Sequence, residues 1–322
     1  MNRRWLMRAF FAAGAGSLVQ RSLLPAVGGE DPHEQQEFTL HSDVRLLVLD
    51  VSVKDRKGRF VPHLTKDNFT VFEDGKPQQI TIFAHDDLPV TVGILVDESF
   101  SMKPKRAEVL AAAEAFIRES NPHDEIFVLN FNDRVRRGLP AQISFSSDLE
   151  QLRAALERGI PEGKTALYDA VEAGLEQLKL GRHEKKALVL ISDGGDNASI
   201  HTRREAVGLV EERPATIYTI GIYDEDDPDR TPGLLRQLAE ISGGDAYFPA
   251  TIAGMTGVCH RIAEDLKVRY TIGYVPEAPA KPVGNNALRR VRVRVSLPGH
   301  ETAVVLTRSS YRYDDIAGQN GK

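Results

Sequence analysis

Cysteine is almost absent from this sequence of 322 residues, in which Cys259 is the only one. An internal disulfide is therefore excluded, and a hydrophobic core has to hold the fold together. The chain also lacks an excess of positive charge, since 41 Lys and Arg stand against 46 Asp and Glu. This balance argues against a general nucleic-acid binder, because no positive field over the whole chain attracts phosphates. A content of 41% hydrophobic and 27% charged residues is typical of a globular protein.

The sequence also lacks a hydrophobic run long enough to cross a membrane. The apolar run at 9–19 is well short of the about 20 residues that a span needs. It follows three arginines within residues 3–8 and precedes small residues around 25–29, which is the order of an export signal. Residues 2–7 are similar to a twin-arginine signal. We therefore expect export to the periplasm or beyond, with no integral membrane span in the mature chain, although the export route stays open.

Both ends of the remaining chain show the two-residue alternation of β-strands. Near the start, strands are predicted over 47–53, 69–72 and 80–83, with an Asp-Gly turn between the last two. Near the end, residues 291–295 alternate valine with arginine, and 302–307 returns after a Pro-Gly turn. Neither end supplies enough strands alone. We therefore predict one additional β-sandwich-like module that is built from both chain ends.

Between these ends, apolar strands alternate with helical patterns. Residues 90–96 are almost continuously apolar, as strands buried on both faces of a parallel sheet are. Further strands are predicted at 126–131, 187–191 and 216–222, and helices around 109–117 and at 148–157, 166–180, 202–212, 232–241 and 252–268. This alternation predicts an α/β fold, a Rossmann-like doubly wound and mostly parallel sheet with helices on both faces.

Polar residues follow the strands of this predicted sheet at the edge where such sheets bind ligands. Asp97, Ser99 and Ser101 follow the first strand, Thr165 precedes a helix, and Asp193 follows a later strand. Two carboxylates and three hydroxyls suit a hard divalent cation, which prefers oxygen ligands. Because hydroxyls add no charge, such an ion stays electrophilic toward an external carboxylate. The alternative is that Ser99 and Thr165 only cap helices.

In this order, the five residues resemble the metal-ion-dependent adhesion site of von Willebrand factor A domains, with the spacing Asp97-x-Ser99-x-Ser101 followed by Thr165 and Asp193. Residues 163–170, 190–194 and 241–248 are also similar to segments of that family. The resemblance covers about residues 89–268. The layout of the whole chain resembles a group of exported, von Willebrand factor A-related bacterial proteins that are common in acidobacteria.

The resemblance implies direct metal contacts from Ser99, Ser101 and Thr165, with Asp97 and Asp193 often acting through water. It implies Mg²⁺ as the preferred ion, with Mn²⁺ or Ca²⁺ as alternatives, and a protein partner that offers an Asp or Glu carboxylate. We therefore expect a non-enzymatic, metal-dependent protein-binding module for adhesion or interaction. The alternative is a scaffold or assembly factor of an envelope complex, with a structural or vestigial metal site.

Several neighbouring residues carry separate expectations. Lys164 departs from the small residue usual in the family, and we expect it to point to solvent. Asp196 and Asn197 either support the site from behind or are only loop residues, and the sequence leaves both open. Glu98 is the one candidate general base for a hydrolase, but we expect it to face solvent. Cys259 is expected to be buried in the last helix.

These expectations divide the chain into six segments: an export signal at 1–28, a linker at 29–37, the first part of the β-sandwich at 38–88, a von Willebrand factor A domain at 89–268, the second part of the β-sandwich at 269–315 and a tail at 316–322.

Overall fold

The structure, a computed structural model, describes residues 46–85, 87–193, 195–223, 231–277, 287–297 and 302–312. The predicted export signal, linker and tail lie outside these residues, as does the predicted turn at Pro298-Gly299. None of the helices within the described ranges is both long and apolar enough to cross a membrane.

The described residues form fourteen strands and six α-helices. The strands are β1 (Leu47–Lys54), β2 (Phe69–Glu73), β3 (Lys76–Gln78), β4 (Ile80–Ala84), β5 (Val90–Asp97), β6 (Glu125–Phe131), β7 (Val135–Arg137), β8 (Lys185–Ser192), β9 (Thr216–Gly221), β10 (Ala246–Tyr247), β11 (Tyr270–Tyr274), β12 (Leu288–Val295), β13 (Val304–Leu306) and β14 (Ser310–Arg312). The helices are α1 (Arg106–Glu119), α2 (Leu149–Glu157), α3 (Leu167–Leu178), α4 (Arg203–Glu212), α5 (Pro232–Ser242) and α6 (Met255–Val268).

A six-stranded sheet in the order β10-β9-β8-β5-β6-β7 forms the centre of the α/β part. Its strands pair in parallel from β10 to β6, and only the edge strand β7 is antiparallel. All eight residues of β5 are buried, which explains why its sequence is apolar without alternation. The sequence did not predict β7, because the three residues Val-Arg-Arg carry no readable alternation.

Helices cover the central sheet in two groups, as the doubly wound prediction requires. Helix α1 packs against α2 and α6, while α4 packs against α3 and α5. The core between sheet and helices consists of fully buried aliphatic side chains such as Leu95, Val171, Leu188 and Ile262. Cys259 belongs to the same core, as predicted, and burial raises the pKa of its thiol to about 12. The predicted fold class is confirmed.

Two four-stranded sheets form the additional β module. Their strand orders are β13-β1-β11-β4 and β14-β12-β2-β3, so each sheet combines strands from before and after the α/β part. The module has its own core, in which Leu49, Val51, Val71 and Ile272 are fully buried. This arrangement confirms that both chain ends build one module. The exact segment boundaries remain a prediction.

The predicted turn at Asp74-Gly75 is present, but strands β4 and β13 pair with strands other than the ones that the predicted turns suggest. The turn at Asp74-Gly75 leads from β2 into β3, whereas β4 pairs with β11 in the other sheet. Strand β13 likewise pairs with β1 and not with β12. The physical reason is packing across the module: Phe69 of β2 and Phe83 of β4 face each other with ring centroids 5.4 Å apart. Because β2 and β4 lie in opposite sheets, both rings contribute to the core between the sheets.

Arg269 joins the two parts of the molecule, since it lies between the end of α6 and the start of β11. Its side chain is fully buried, and its Nη2 donates to Asp265 and to the carbonyl of Gly243, both at 2.9 Å. Nε donates to the hydroxyl of Tyr218 at 3.0 Å, and Nη1 donates to the carbonyl of Asp50 in β1 at 3.4 Å. A guanidinium that is paired with a carboxylate and hydrogen-bonded at each of its three nitrogens is a form in which a charge tolerates burial.

Candidate metal centre

Three loops meet at the carboxyl edge of the central sheet. The first follows β5 and carries Asp97, Ser99 and Ser101; the second precedes α3 and carries Thr165; the third follows β8 and carries Asp193. Backbone hydrogen bonds join the first two, because Phe100 N donates to Gly163 O at 3.1 Å and Glu162 N donates to Glu98 O at 2.9 Å. The strand order places β5 and β8 side by side, so the loops that follow them are neighbours.

Asp97 is the most constrained member of this group. Its Oδ1 accepts from the backbone N–H of Ser99 at 2.9 Å, and its Oδ2 accepts from the hydroxyl of Ser192 at 2.5 Å. The hydroxyls of Ser99 and Ser101 are 3.1 Å apart. Burial and, to a smaller extent, the negative charge of Asp193 together raise the pKa of Asp97 to about 7, although hydrogen bonds from Ser192 and Ser99 act in the opposite direction.

Burial separates the five predicted ligands into four enclosed side chains and one open one. Asp97, Ser99, Thr165 and Asp193 are all buried, whereas Ser101 is exposed. The loop before Thr165 turns at Gly163, whose φ of +77° favours glycine. A side chain at that position would also collide with the carboxylate of Asp133. Lys164 is exposed, as predicted.

Asn197 holds Thr165 in place from the third loop. The backbone N–H of Thr165 donates to Asn197 Oδ1 at 2.9 Å, and the carbonyl of Thr165 accepts from the N–H groups of Asn197 and Ala198. Asp196 accepts from the backbone N–H of Tyr168 at 3.1 Å, at the start of α3. Of the two readings that the sequence left open, the structure therefore favours supporting roles for both residues.

Glu98 contradicts the expectation that it faces solvent. Its side chain is only 2% exposed, and Oε2 accepts from Arg106 Nε at 2.9 Å. Arg106 also donates to the carbonyls of Glu157 and Gly159 at 3.1 and 2.9 Å. The expectation was wrong because Glu98 lies in a loop that α1 and the end of α2 cover, which local sequence does not reveal. The carboxylate is therefore committed to an ion pair and is poorly placed to act as a general base.

Two further side chains support the site, Ser192 and Asn132, and neither role was predicted from the sequence. Ser192 ends β8 and donates to Asp97, and Asn132 follows β6 beneath the loop of Thr165. The carbonyl of Asn132 accepts from Ala166 N at 2.7 Å, and its Nδ2 donates to Ile160 O at 3.4 Å. A signal was available for both, since each is a polar residue at the carboxyl end of a buried parallel strand.

The donor set at this edge fits a hard divalent cation. The negative charge of Asp193 raises the pKa of Asp97, hydroxyl oxygens lie beside Asp97, and a cation would relieve the repulsion between the two carboxylates. Within the described residues, no three side chains among His, Cys, Asp and Glu form a metal-binding cluster. A softer metal prefers imidazole or thiolate ligands, and the five predicted ligands include neither histidine nor cysteine.

Comparison with solved structures gives matches to proteins of low sequence identity. A "von Willebrand factor type A" protein from Catenulispora acidiphila is 13% identical, with 85% of this chain and 76% of that chain covered and a TM-score of 0.49. Proximal thread matrix protein 1 from the mussel byssus is 18% identical, with a TM-score of 0.47. This match covers 56% of the present chain and only 49% of the mussel protein.

A third structure, the von Willebrand factor domain of the type V pili tip protein Mfa5 from Porphyromonas gingivalis, is 13% identical. It covers 56% of this chain and 95% of that domain, with a TM-score of 0.44. No protein of curated description has a sequence that matches this chain significantly. Residues 92–195 match the family model described as the von Willebrand factor type A domain, a stretch that includes all five predicted ligands. The chain contains a von Willebrand factor type A domain.

Proposed function

We propose that this protein is an exported, metal-dependent protein-binding module. A divalent cation, preferably Mg²⁺, would be held by Asp97, Ser99, Ser101, Thr165 and Asp193. When bound, it would supply a positively charged centre for an Asp or Glu carboxylate of a protein partner. Proteins with a von Willebrand factor type A domain are typically interaction modules and not enzymes, which agrees with this role.

One observation carries the proposal: hydrogen bonds between backbones hold the loops of Ser99 and Thr165 together, while Asp97 and Asp193 are buried and repel each other. Buried like charges are costly unless a cation or a proton compensates them. The hydroxyls of Ser99 and Thr165 offer further oxygen ligands without adding to that repulsion. The arrangement therefore favours a cation with unsatisfied positive charge, to which an external carboxylate can add.

The test is calorimetric titration of the full chain with Mg²⁺ and Mn²⁺, beside Thr165→Val. Valine has nearly the shape of threonine, and the backbone bonds of Thr165 to Asn197 do not need the hydroxyl. We expect metal affinity to fall by more than about tenfold, the smallest loss usual for residues that only support a ligand. Glu162→Ala is the matched control, because it removes an exposed charge from the same loop.

Equal metal affinity of the wild type and Thr165→Val would contradict the proposal. A second experiment separates binding from scaffolding. If chelation lowers the melting temperature but changes no partner interaction, the metal has a structural role and the scaffold alternative is favoured. If chelation abolishes a partner interaction and leaves the melting temperature within a few degrees, the binding role is supported.

Export is the part of the proposal that rests on sequence alone. The paired arginines Arg3 and Arg4 precede an apolar run, as in a twin-arginine signal. Replacing both by lysine should retain the chain in the cytoplasm, whereas replacing Arg21, outside the pair, should leave export intact. Fractionation of cells that express the tagged full chain measures this. Unchanged export of the double variant would exclude the twin-arginine route.

A further inference from the structure

Three large apolar side chains are exposed around the candidate metal centre. Phe100 is 68% exposed, Ile160 is 53% exposed and Ile200 is 90% exposed. Phe100 lies between Ser99 and Ser101, Ile160 lies in the loop before Thr165, and Ile200 lies in the loop after Asp193. Each of the three loops that carry predicted ligands therefore also carries one exposed apolar side chain. We call Phe100, Ile160 and Ile200 the apolar rim.

The distribution of other exposed apolar residues makes this grouping informative. Single exposed hydrophobic residues are normal on protein surfaces and need no explanation. Within the described part of residues 90–268, however, only one large apolar side chain outside the apolar rim is strongly exposed, that of Leu180. It follows α3 at the opposite edge of the sheet, just before β8. The exposed apolar side chains of this domain thus concentrate at the predicted site.

Hydrogen bonds hold the rim backbone in place. Phe100 N donates to Gly163 O at 3.1 Å, and Ile160 O accepts from Asn132 Nδ2 at 3.4 Å. Ile200 N donates to both carboxylate oxygens of Asp169 at 3.1 and 3.0 Å. A surface whose backbone is already ordered loses less conformational entropy when it binds a partner. The rim is therefore built as a docking surface would be.

We infer that the partner segment presents its acidic residue between apolar side chains, which pack on Phe100, Ile160 and Ile200 while the carboxylate reaches the cation. This inference rests on the proposed function, because the cation at the centre accounts for the carboxylate. The apolar rim accounts for the apolar side chains that flank this carboxylate in the partner segment. Apolar contacts around a polar centre exclude water, and exclusion of water strengthens the central electrostatic contact.

The test uses a random seven-residue peptide library displayed on phage, with aspartate fixed at the central position, selected on the full chain in Mg²⁺. We expect enrichment of Leu, Ile, Phe or Met beside the aspartate and loss of the selected phage in chelator. A synthetic copy of the best peptide should bind Phe100→Ser and Ile200→Ser about tenfold to a hundredfold more weakly, the cost of leaving one large apolar contact unmade. Leu180→Ser is the matched control and should bind like the wild type.

The possible results separate this inference from the proposed function. Metal-dependent selection of peptides with polar neighbours, or unchanged peptide affinity of Phe100→Ser and Ile200→Ser, overturns the inference and leaves the proposed function standing. Selection of apolar peptides that survives chelation and Thr165→Val contradicts both, because the carboxylate then has no cation to reach. Failure to select any peptide in Mg²⁺ overturns the inference, while the metal titration above still decides the proposed function.

Discussion

Thr165 and Asn197 are joined in both directions, since Thr165 N donates to Asn197 Oδ1 at 2.9 Å and Asn197 N donates to Thr165 O at 3.0 Å. This pair connects the loop before α3 to the loop after β8. These two hydrogen bonds therefore hold two of the three loops that carry predicted ligands at a fixed separation.

Asn197→Ala should weaken Mg²⁺ binding by about tenfold to a hundredfold, as loss of a residue that orients a metal ligand usually does. Loss of one hydrogen bond should cost only about 1 kcal/mol in the free energy of unfolding. Asn197→Asp keeps the acceptor oxygen and should retain most of the affinity. Calorimetric titration and urea unfolding measure the two effects, and an unchanged affinity of Asn197→Ala would show that Thr165 needs no such support.

Mg²⁺ binding should depend on pH because Asp97 has to lose its proton. Burial and the charge of Asp193 raise the pKa of Asp97 to about 7, so the metal-free carboxyl is mostly protonated at about pH 6. Metal affinity should fall by up to about tenfold for each pH unit below 7, and binding near pH 6.5 should release protons. Titration in two buffers of different ionisation enthalpy measures that release.

Asp193→Asn gives the control for this pH dependence. It removes the negative charge that raises the pKa of Asp97, so less of the carboxyl is protonated and fewer protons should be released by any residual binding. Proton release equal to that of the wild type would mean that another group titrates.

Glu98→Ala should destabilise the fold by about 3 kcal/mol, because it leaves the Arg106 side chain without its buried carboxylate. The ion pair between Arg153 and Glu157 offers a control, since both side chains are about half exposed. Glu157→Ala should cost less than about 1 kcal/mol. Urea unfolding of the chelated protein compares the two variants. An equal loss of unfolding free energy in the two variants would mean that the buried ion pair of Glu98 stabilises the fold no more than the exposed ion pair of Glu157.

Arg269→Ala should be the most damaging of these substitutions, at about 3–5 kcal/mol, because it leaves Asp265 buried without its guanidinium. Arg269→Lys should recover little, since an ammonium group cannot reach Asp265, Gly243 and Tyr218 at once as the planar guanidinium does. Glu264→Ala, on the exposed side of α6, should change the free energy of unfolding by less than about 0.5 kcal/mol.

Local sequence patterns predicted the α/β part well, because its strands are buried and its helices amphipathic over long stretches. The run at 90–96 became β5, and the helix predicted at 202–212 became α4, which begins after Thr202 in a capping box with Glu205. Such elements carry their own signals. The order of Asp97, Ser99, Ser101, Thr165 and Asp193 also nominated the candidate site, because parallel strands bring their carboxyl ends to one edge.

The β module and the support of the site were harder to predict, because they depend on contacts between distant residues. The partner of β4 is β11, which lies almost two hundred residues later, as in the pairing of Phe83 with Ile272. No alternation within residues 80–83 specifies that choice. The burial of Glu98 depends in the same way on α1 and on the carbonyls of Glu157 and Gly159. The sequence shows which residues are apolar, but it does not show which distant segment covers them.

The insertion of the von Willebrand factor A domain between β4 and β11 has a mechanical consequence. These two strands are antiparallel neighbours, and Ala84 at the end of β4 pairs with Thr271 near the start of β11. The domain therefore enters and leaves the β module at the same end of one strand pair. A pulling force applied through a bound partner would be divided between two covalent connections that lie side by side. This force would load β4 and β11 in the same direction, so the hydrogen bonds between these two strands would carry little shear. The load would pass instead to the hydrogen bonds between β11 and its other neighbour, β1.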